Sequence, residues 1–182
     1  MNIDIASGVL SEARQQPSEN CDLRSDVEDI ALIVIHGISL PPGKFGGDYI
    51  DQLFCNKLNP TDHPYFESIS ELKVSSHILI RRDGEIVQYV PFYKRAWHAG
   101  VSSYKERESC NDFSIGIEME GEDNTPYTDS QYQVLSELLK NLINTYPKLS
   151  TETIAGHSDI SPGRKTDPGE SFDWERLHTL LS

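Results

Sequence analysis

Three side chains able to do chemistry stand within eleven residues of one another: His157, Lys165 and Asp167, in the stretch 155–169. An imidazole and a carboxylate serve as metal ligands or acid–base groups, and an ammonium stabilises developing negative charge. Pro162 and Pro168 each remove a backbone donor and fix φ, which argues against helix and for a rigid loop with Asp167 pre-positioned on it. Ile154 and Ala155 precede, so His157 is expected where a strand ends and this loop begins. By themselves His157 and Asp167 read more readily as a surface hydrogen-bond pair than as a metal site, which needs a third ligand.

Two further strands offer candidates. Residues 30–37 form a continuous apolar run rich in β-branched residues, the mark of a strand buried on both faces, and it closes on His36 and Gly37. An imidazole at such a strand end, at the sheet edge, is either a satisfied histidine or a ligand. Residues 113–121 alternate, with Phe113, Ile115, Ile117 and Met119 on one face and Glu118 and Glu120 sharing the other with Ser114 and Gly116. A carboxylate in a core-like strand costs desolvation unless it has a partner, so Glu118 is either exposed on an edge strand or held for a purpose.

The elements that must position these groups are legible in outline. Residues 1–29 are polar and mixed and are expected to be an irregular lead-in, followed by one domain over 30–182. Tyr49, Ile50, Leu53, Phe54 and Leu58 have helical spacing, with Asp48 as N-cap. Residues 74–91 read as a β-hairpin in which Asp83 and Gly84 supply the positive φ of a tight turn. Thr128 and Gln131 match a capping box, and Tyr132, Leu135, Leu138, Leu139, Leu142 and Tyr146 keep helical period until Pro147. A last helix runs from Trp174 to Leu181, with His178 facing solvent. Strands separated by helices and joined by a hairpin indicate an α/β fold, a single domain with a central mixed β-sheet flanked by α-helices.

The 182 residues, 37% apolar and 25% charged, suit one globular domain, and no run approaches the roughly 18 apolar residues of a membrane span. The first residues lack a basic and an apolar signal region, so the cytoplasm is the expected compartment. Three widely spaced cysteines without a CxxC suggest neither a disulfide framework nor a cysteine zinc site. A formal charge of −13 argues against nucleic acid and anionic membranes as partners, and a monomer is expected.

With His36 and His157 at strand ends and Asp167 beside them, two imidazoles and one carboxylate leave a fourth tetrahedral position to water, the arrangement of catalytic zinc. At this point the chain resembles the zinc-dependent N-acetylmuramoyl-L-alanine amidases, in particular their cytoplasmic branch acting on anhydro-muropeptides. The stretches VIHGISLPPGKFGG, SSHILIRRDGEIVQYVPF, RAWHAGVSSY, NDFSIGIEMEG and GHSDISPGRKTDPG carry the resemblance from about residue 30 to the end. It extends more weakly to phage lysozyme-type amidases and animal peptidoglycan recognition proteins, which usually have cysteine where this chain has Asp167. The resemblance implies zinc held by His36, His157 and Asp167, with Glu118 and Lys165 as the catalytic pair, cutting the amide between a muramic lactyl group and the first L-alanine of a stem peptide. The rival reading is a non-catalytic peptidoglycan-recognition module. Tyr65, His77, Trp97 and His98 are candidates for the groove that holds sugar and peptide. Lys73, Arg81, Arg82 and Arg164 are candidates for meeting its carboxylates, although each also reads as an ordinary surface base.

Overall fold

A computed structural model describes residues 1–182. The lead-in is less irregular than its composition suggests. It contains four short strands, β1 (Ile3–Asp4), β2 (Val9–Leu10), β3 (Arg14–Gln15) and β4 (Cys21–Leu23). β1 and β2 pair with each other, and Ile3, Leu10 and Ala13 enter the main core. Segments of two or three residues are too short to show a period-2 pattern, which is why alternation did not reveal them.

β5 (Leu32–Ile38) begins the central sheet, and its first five residues are buried. α1 (Tyr49–Phe54) follows and stops short of Leu58, because Asn56 adopts a left-handed φ of 57°. Asp48 occupies its N-cap position without a side-chain cap bond. A 3-10 turn, Pro64–Ser68, is capped by His63, whose ring nitrogen accepts from the Tyr65 N–H.

The expected hairpin is formed by β6 (Ile78–Ile80) and β7 (Ile86–Gln88). Its turn is wider than expected. Only Gly84 has positive φ (92°), and the Gly84 and Arg81 amides donate to the carbonyls of Arg81 and Glu85. β8 (Lys94–Ala96) pairs with β4, and β9 (Ser103–Tyr104) with β10 (Arg107–Glu108). β11 (Ser114–Glu120) is buried along its whole length. α2 (Asp129–Thr145) starts at the expected capping box. β12 (Ile154–Gly156) leads directly into a single turn, α3 (His157–Ile160), where a loop was expected; Pro162 lies beyond that turn and does not prevent it. α4 (Trp174–Leu181) ends the chain, with His178 exposed as expected.

The main sheet has the order β12-β5-β11-β6-β7-β3. β12, β5, β11 and β6 are mutually parallel, β7 is antiparallel to β6, and β3 runs parallel to β7 at the edge. One face packs Ile33, Ile35, Ile115, Ile117 and Met119 against the leucines of α2 and α4. On the other, Leu32 and Val34 meet Ala99, Phe113 and Ile160, while Leu79 and Val87 meet Phe54, Phe66 and Tyr89. Phe113 therefore lies before β11 and packs on the face opposite Ile115 and Ile117. Both faces being covered explains why β5 reads as an unbroken apolar run.

Candidate active site

β5 and β11 are aligned so that His36 sits beside Glu118 in parallel register. Neighbouring residues in such a pair project from the same face, about 4.8 Å apart between strands, so the alignment sets an imidazole next to a carboxylate. Neither lies at a sheet edge. Both strands are interior, and their carboxyl ends open where parallel α/β sheets place ligands. β12 ends at that same rim, which puts His157 on the first turn of α3 there.

Asp167 reaches the rim through the loop after α3. Its carbonyl accepts from the Ser158 N–H (2.9 Å), and the following Pro168 carbonyl accepts from the Tyr127 hydroxyl (2.9 Å). Gly37 makes this approach possible: a Cβ there would lie 2.5 Å from the Tyr127 oxygen. The Gly37 amide in turn points at Asp167 Oδ2, 3.4 Å away.

Three ligand atoms thereby converge. His36 Nδ1 and His157 Nδ1 are 2.9 Å apart, and Asp167 Oδ2 is 3.3 Å from the first and 3.0 Å from the second. A tetrahedral metal with bonds near 2.1 Å has ligand–ligand edges of about 3.4 Å, close to this triangle. Three electron-pair donors so near one another repel unless a cation is shared among them, so the donor set suits a metal ion. Burial pushes the His36 pKa down to about 4 against the opposing hydrogen bond of Asp167, leaving the ring neutral near pH 7. Burial also disfavours the charged form of Asp167, but the two imidazoles outweigh it and hold its carboxyl well below the usual carboxylate range.

Glu118 and Glu120 share a face of β11 and differ sharply in environment. Glu120 is fully engaged: its carboxylate accepts from the amides of Gly46 (2.7 Å) and Arg82 (3.1 Å) and pairs with Arg81. Glu118 is only 8% exposed, and its Oε2 is buried with no hydrogen-bond partner. Burial, and then the Asp167 charge, raise its pKa well above the ordinary value, opposed by Lys165. An unpartnered carboxyl costs about 1–3 kcal/mol, a cost unexplained by packing. Lys165 stands exposed on the rim of the same cleft.

The cleft has a volume of about 620 Å³ and is lined by all five of these residues. Tyr65 and Trp97 contribute to its wall, together with Leu40, Leu72 and Val74. His77 does not. It is fully buried, taking the Gly116 N–H on Nδ1 (3.0 Å) and donating from Nε2 to the Lys94 carbonyl (3.0 Å), so it is a structural histidine of the sheet. His98 borders the cleft, but its ring nitrogens contact His36 and Ser114. Of the candidate bases, Arg164 lines the cleft. Arg81 is buried in ion pairs with Asp51 and Glu120, and Arg82 donates to the Glu120 and Pro126 carbonyls. Lys73 is exposed outside the cleft lining. Sequence reasoning missed the stretch of the lining from Glu122 to Asn124, whose only signal is that it follows the strand carrying Glu118.

A family model described as N-acetylmuramoyl-L-alanine amidase matches residues 26–170. The chain is 59% identical over 175 residues to the 1,6-anhydro-N-acetylmuramyl-L-alanine amidase AmpD of Citrobacter freundii, covering 96% of this chain and 93% of that protein. A crystal structure of a selenomethionine derivative of AmpD superposes with a TM-score of 0.96 at 58% identity, over 100% of both chains. AmpDh3 of Pseudomonas aeruginosa, in a crystal structure with anhydromuramic pentapeptide, gives a TM-score of 0.62 at 28% identity, over 84% of this chain and 60% of that one.

Proposed function

The chain belongs to the N-acetylmuramoyl-L-alanine amidase family, and from that premise we propose that it hydrolyses the amide between the lactyl group of 1,6-anhydro-N-acetylmuramic acid and the L-alanine of the stem peptide, with zinc as cofactor, in peptidoglycan recycling. The supporting observation is Glu118, a buried carboxyl with an unpartnered oxygen beside three converging metal-ligand atoms. A binding module would have no use for that arrangement.

In this reading His36, His157 and Asp167 hold the zinc. When bound, zinc supplies Lewis acidity, bringing the pKa of water to about 7 and polarising an amide carbonyl. Glu118 takes one proton from the attacking water as its oxygen bonds to the lactyl carbonyl carbon. It returns that proton to the alanine nitrogen as the C–N bond breaks, so one carboxyl serves as base and then acid. The Lys165 ammonium stabilises the negative charge gathering on the carbonyl oxygen. Tyr65 and Trp97 offer flat surfaces to the sugar, and Arg164 a cation to a peptide carboxylate.

The substrate on this reading is a soluble fragment met by a monomer in the cytoplasm. Three free cysteines fit a reducing compartment, and a charge of −13 gives no general attraction to an anionic wall. No helix is long and apolar enough to cross a membrane. The test is mass analysis of products from an anhydro-muropeptide, with and without a chelator. Release of free stem peptide only in the metal-loaded reaction is expected; no release by zinc-loaded protein would refute the function.

A further inference from the structure

Behind the converging ligands lies a short segment that faces the two imidazoles with the His98 ring and with the Ala99 carbonyl, which also accepts from the Arg164 guanidinium (2.6 Å). His98 Nδ1 is 2.9 Å from His36 Nε2, with the rings at 89°. The neighbouring Ala99 carbonyl is 3.2 Å from His157 Nε2. Both residues are gripped by one side chain, since Asn111 Oδ1 accepts from the His98 N–H (3.1 Å) and the Ala99 N–H (2.8 Å). The far nitrogen of His98 meets Ser114 Oγ at 3.1 Å. Space for the ring is reserved by Gly116, where a Cβ would come within 2.5 Å of His98 Cγ.

The hydrogens follow from the chemistry of the partners. A carbonyl oxygen only accepts, so His157 carries its hydrogen on Nε2 and keeps the Nδ1 lone pair facing His36 and Asp167. For His36 to present Nδ1 in the same way, its Nε2–H must donate to His98 Nδ1, and His98 then donates from Nε2 to Ser114. Nδ1 is the ligand atom in both residues, and two adjacent residues select it.

We propose that His98 and Ala99, held by Asn111, are a positioning clamp that locks both metal-ligand histidines in the metal-binding tautomer and orientation. This assigns His98 to the metal site instead of to the substrate groove. The proposal rests on the reading of His36, His157 and Asp167 as a zinc site. Groups that hold a ligating histidine from behind typically govern metal affinity by about 10- to 100-fold.

The experiment compares the full chain with His98→Phe, which keeps ring volume and loses the acceptor, and with His98→Gln, whose amide can accept from His36 and donate to Ser114. Zinc dissociation constants are measured by competition with a chromophoric chelator, and the visible spectrum of the cobalt(II)-substituted protein reports ligand geometry. His98→Phe is expected to bind zinc about 10- to 100-fold more weakly with a changed cobalt spectrum, and His98→Gln to recover most of the affinity. Unchanged affinity and spectrum in His98→Phe, or equal impairment in both variants, would overturn the clamp. If His98→Phe does not fold, the same comparison is made with Asn111→Leu and Asn111→Asp, of which only the second keeps the acceptor; equal affinities there would also overturn it. A wild-type chain that binds no zinc would refute the metal site itself, a different result from zinc-binding wild type with indifferent variants.

Discussion

Replacing Glu118 with glutamine should abolish most of the activity and make the metal-free protein more stable. The carboxyl is 8% exposed, its Oε2 has no partner, and burial with the nearby Asp167 charge raises its pKa well above the ordinary value. A raised folded-state pKa means that the unfolded chain releases this proton first, so stability falls as pH climbs from about 4.3 toward the folded value and then levels off. Glutamine has the same shape and no charge, and removes that loss. A chain of this size gains about 2–4 °C in Tm for each kcal/mol of charge burial that glutamine removes, so Glu118→Gln should melt higher than wild type at pH 8 in chelator. The gain should vanish near pH 4, where the carboxyl is protonated in both states. Loss of a general acid–base group should lower kcat by about 10²- to 10⁴-fold in the zinc-loaded protein. Thermal denaturation at both pH values and turnover with verified metal content are the assays. A variant no more stable than wild type at pH 8 would refute the argument that this carboxyl is held at a cost, and near-normal kcat would refute its role.

Lys165→Ala should keep its zinc and lose about 10²- to 10³-fold in kcat, the typical cost of one oxyanion-stabilising group; metal analysis with steady-state kinetics decides it. His157→Ala should lose zinc and activity together, and stoichiometric metal retained in that variant would sink the ligand assignment. The ratio kcat/KM should be much higher for an anhydro-N-acetylmuramyl peptide than for the same peptide on an ordinary reducing sugar, and the opposite ranking or efficient digestion of intact sacculi would point to a wall-remodelling enzyme.

What sequence could foresee divides along a physical line. The loop with His157, Lys165 and Asp167 was visible because its chemistry is concentrated locally, and β5 because a doubly covered strand must be apolar throughout. Alternation placed Glu118 on the face opposite Ile117, but only the pairing of β11 with β5 and β6 makes that strand interior and sets Glu118 beside His36. His77 and His98 look alike in sequence. Their separation into a sheet histidine and a neighbour of His36 depends on contacts with Gly116, Lys94 and Ser114, all distant in the chain. The same holds for Asn111, which gives no local signal. Glu120 could be told from Glu118 only by the amides of Gly46 and Arg82 folding over it.

The short strand β3 has a consequence for the life of the molecule in a crowded solution. β7 would otherwise end the sheet with a free row of amides and carbonyls, the kind of margin on which chains stack into aggregates. The lead-in covers it and is sewn down by one buried amide: Gln88 Oε1 accepts from the Leu10 N–H (2.8 Å), and its Nε2 donates to the Gly8 carbonyl (2.9 Å). The first residues therefore act as a hem that keeps the enzyme's sheet from templating another copy of itself.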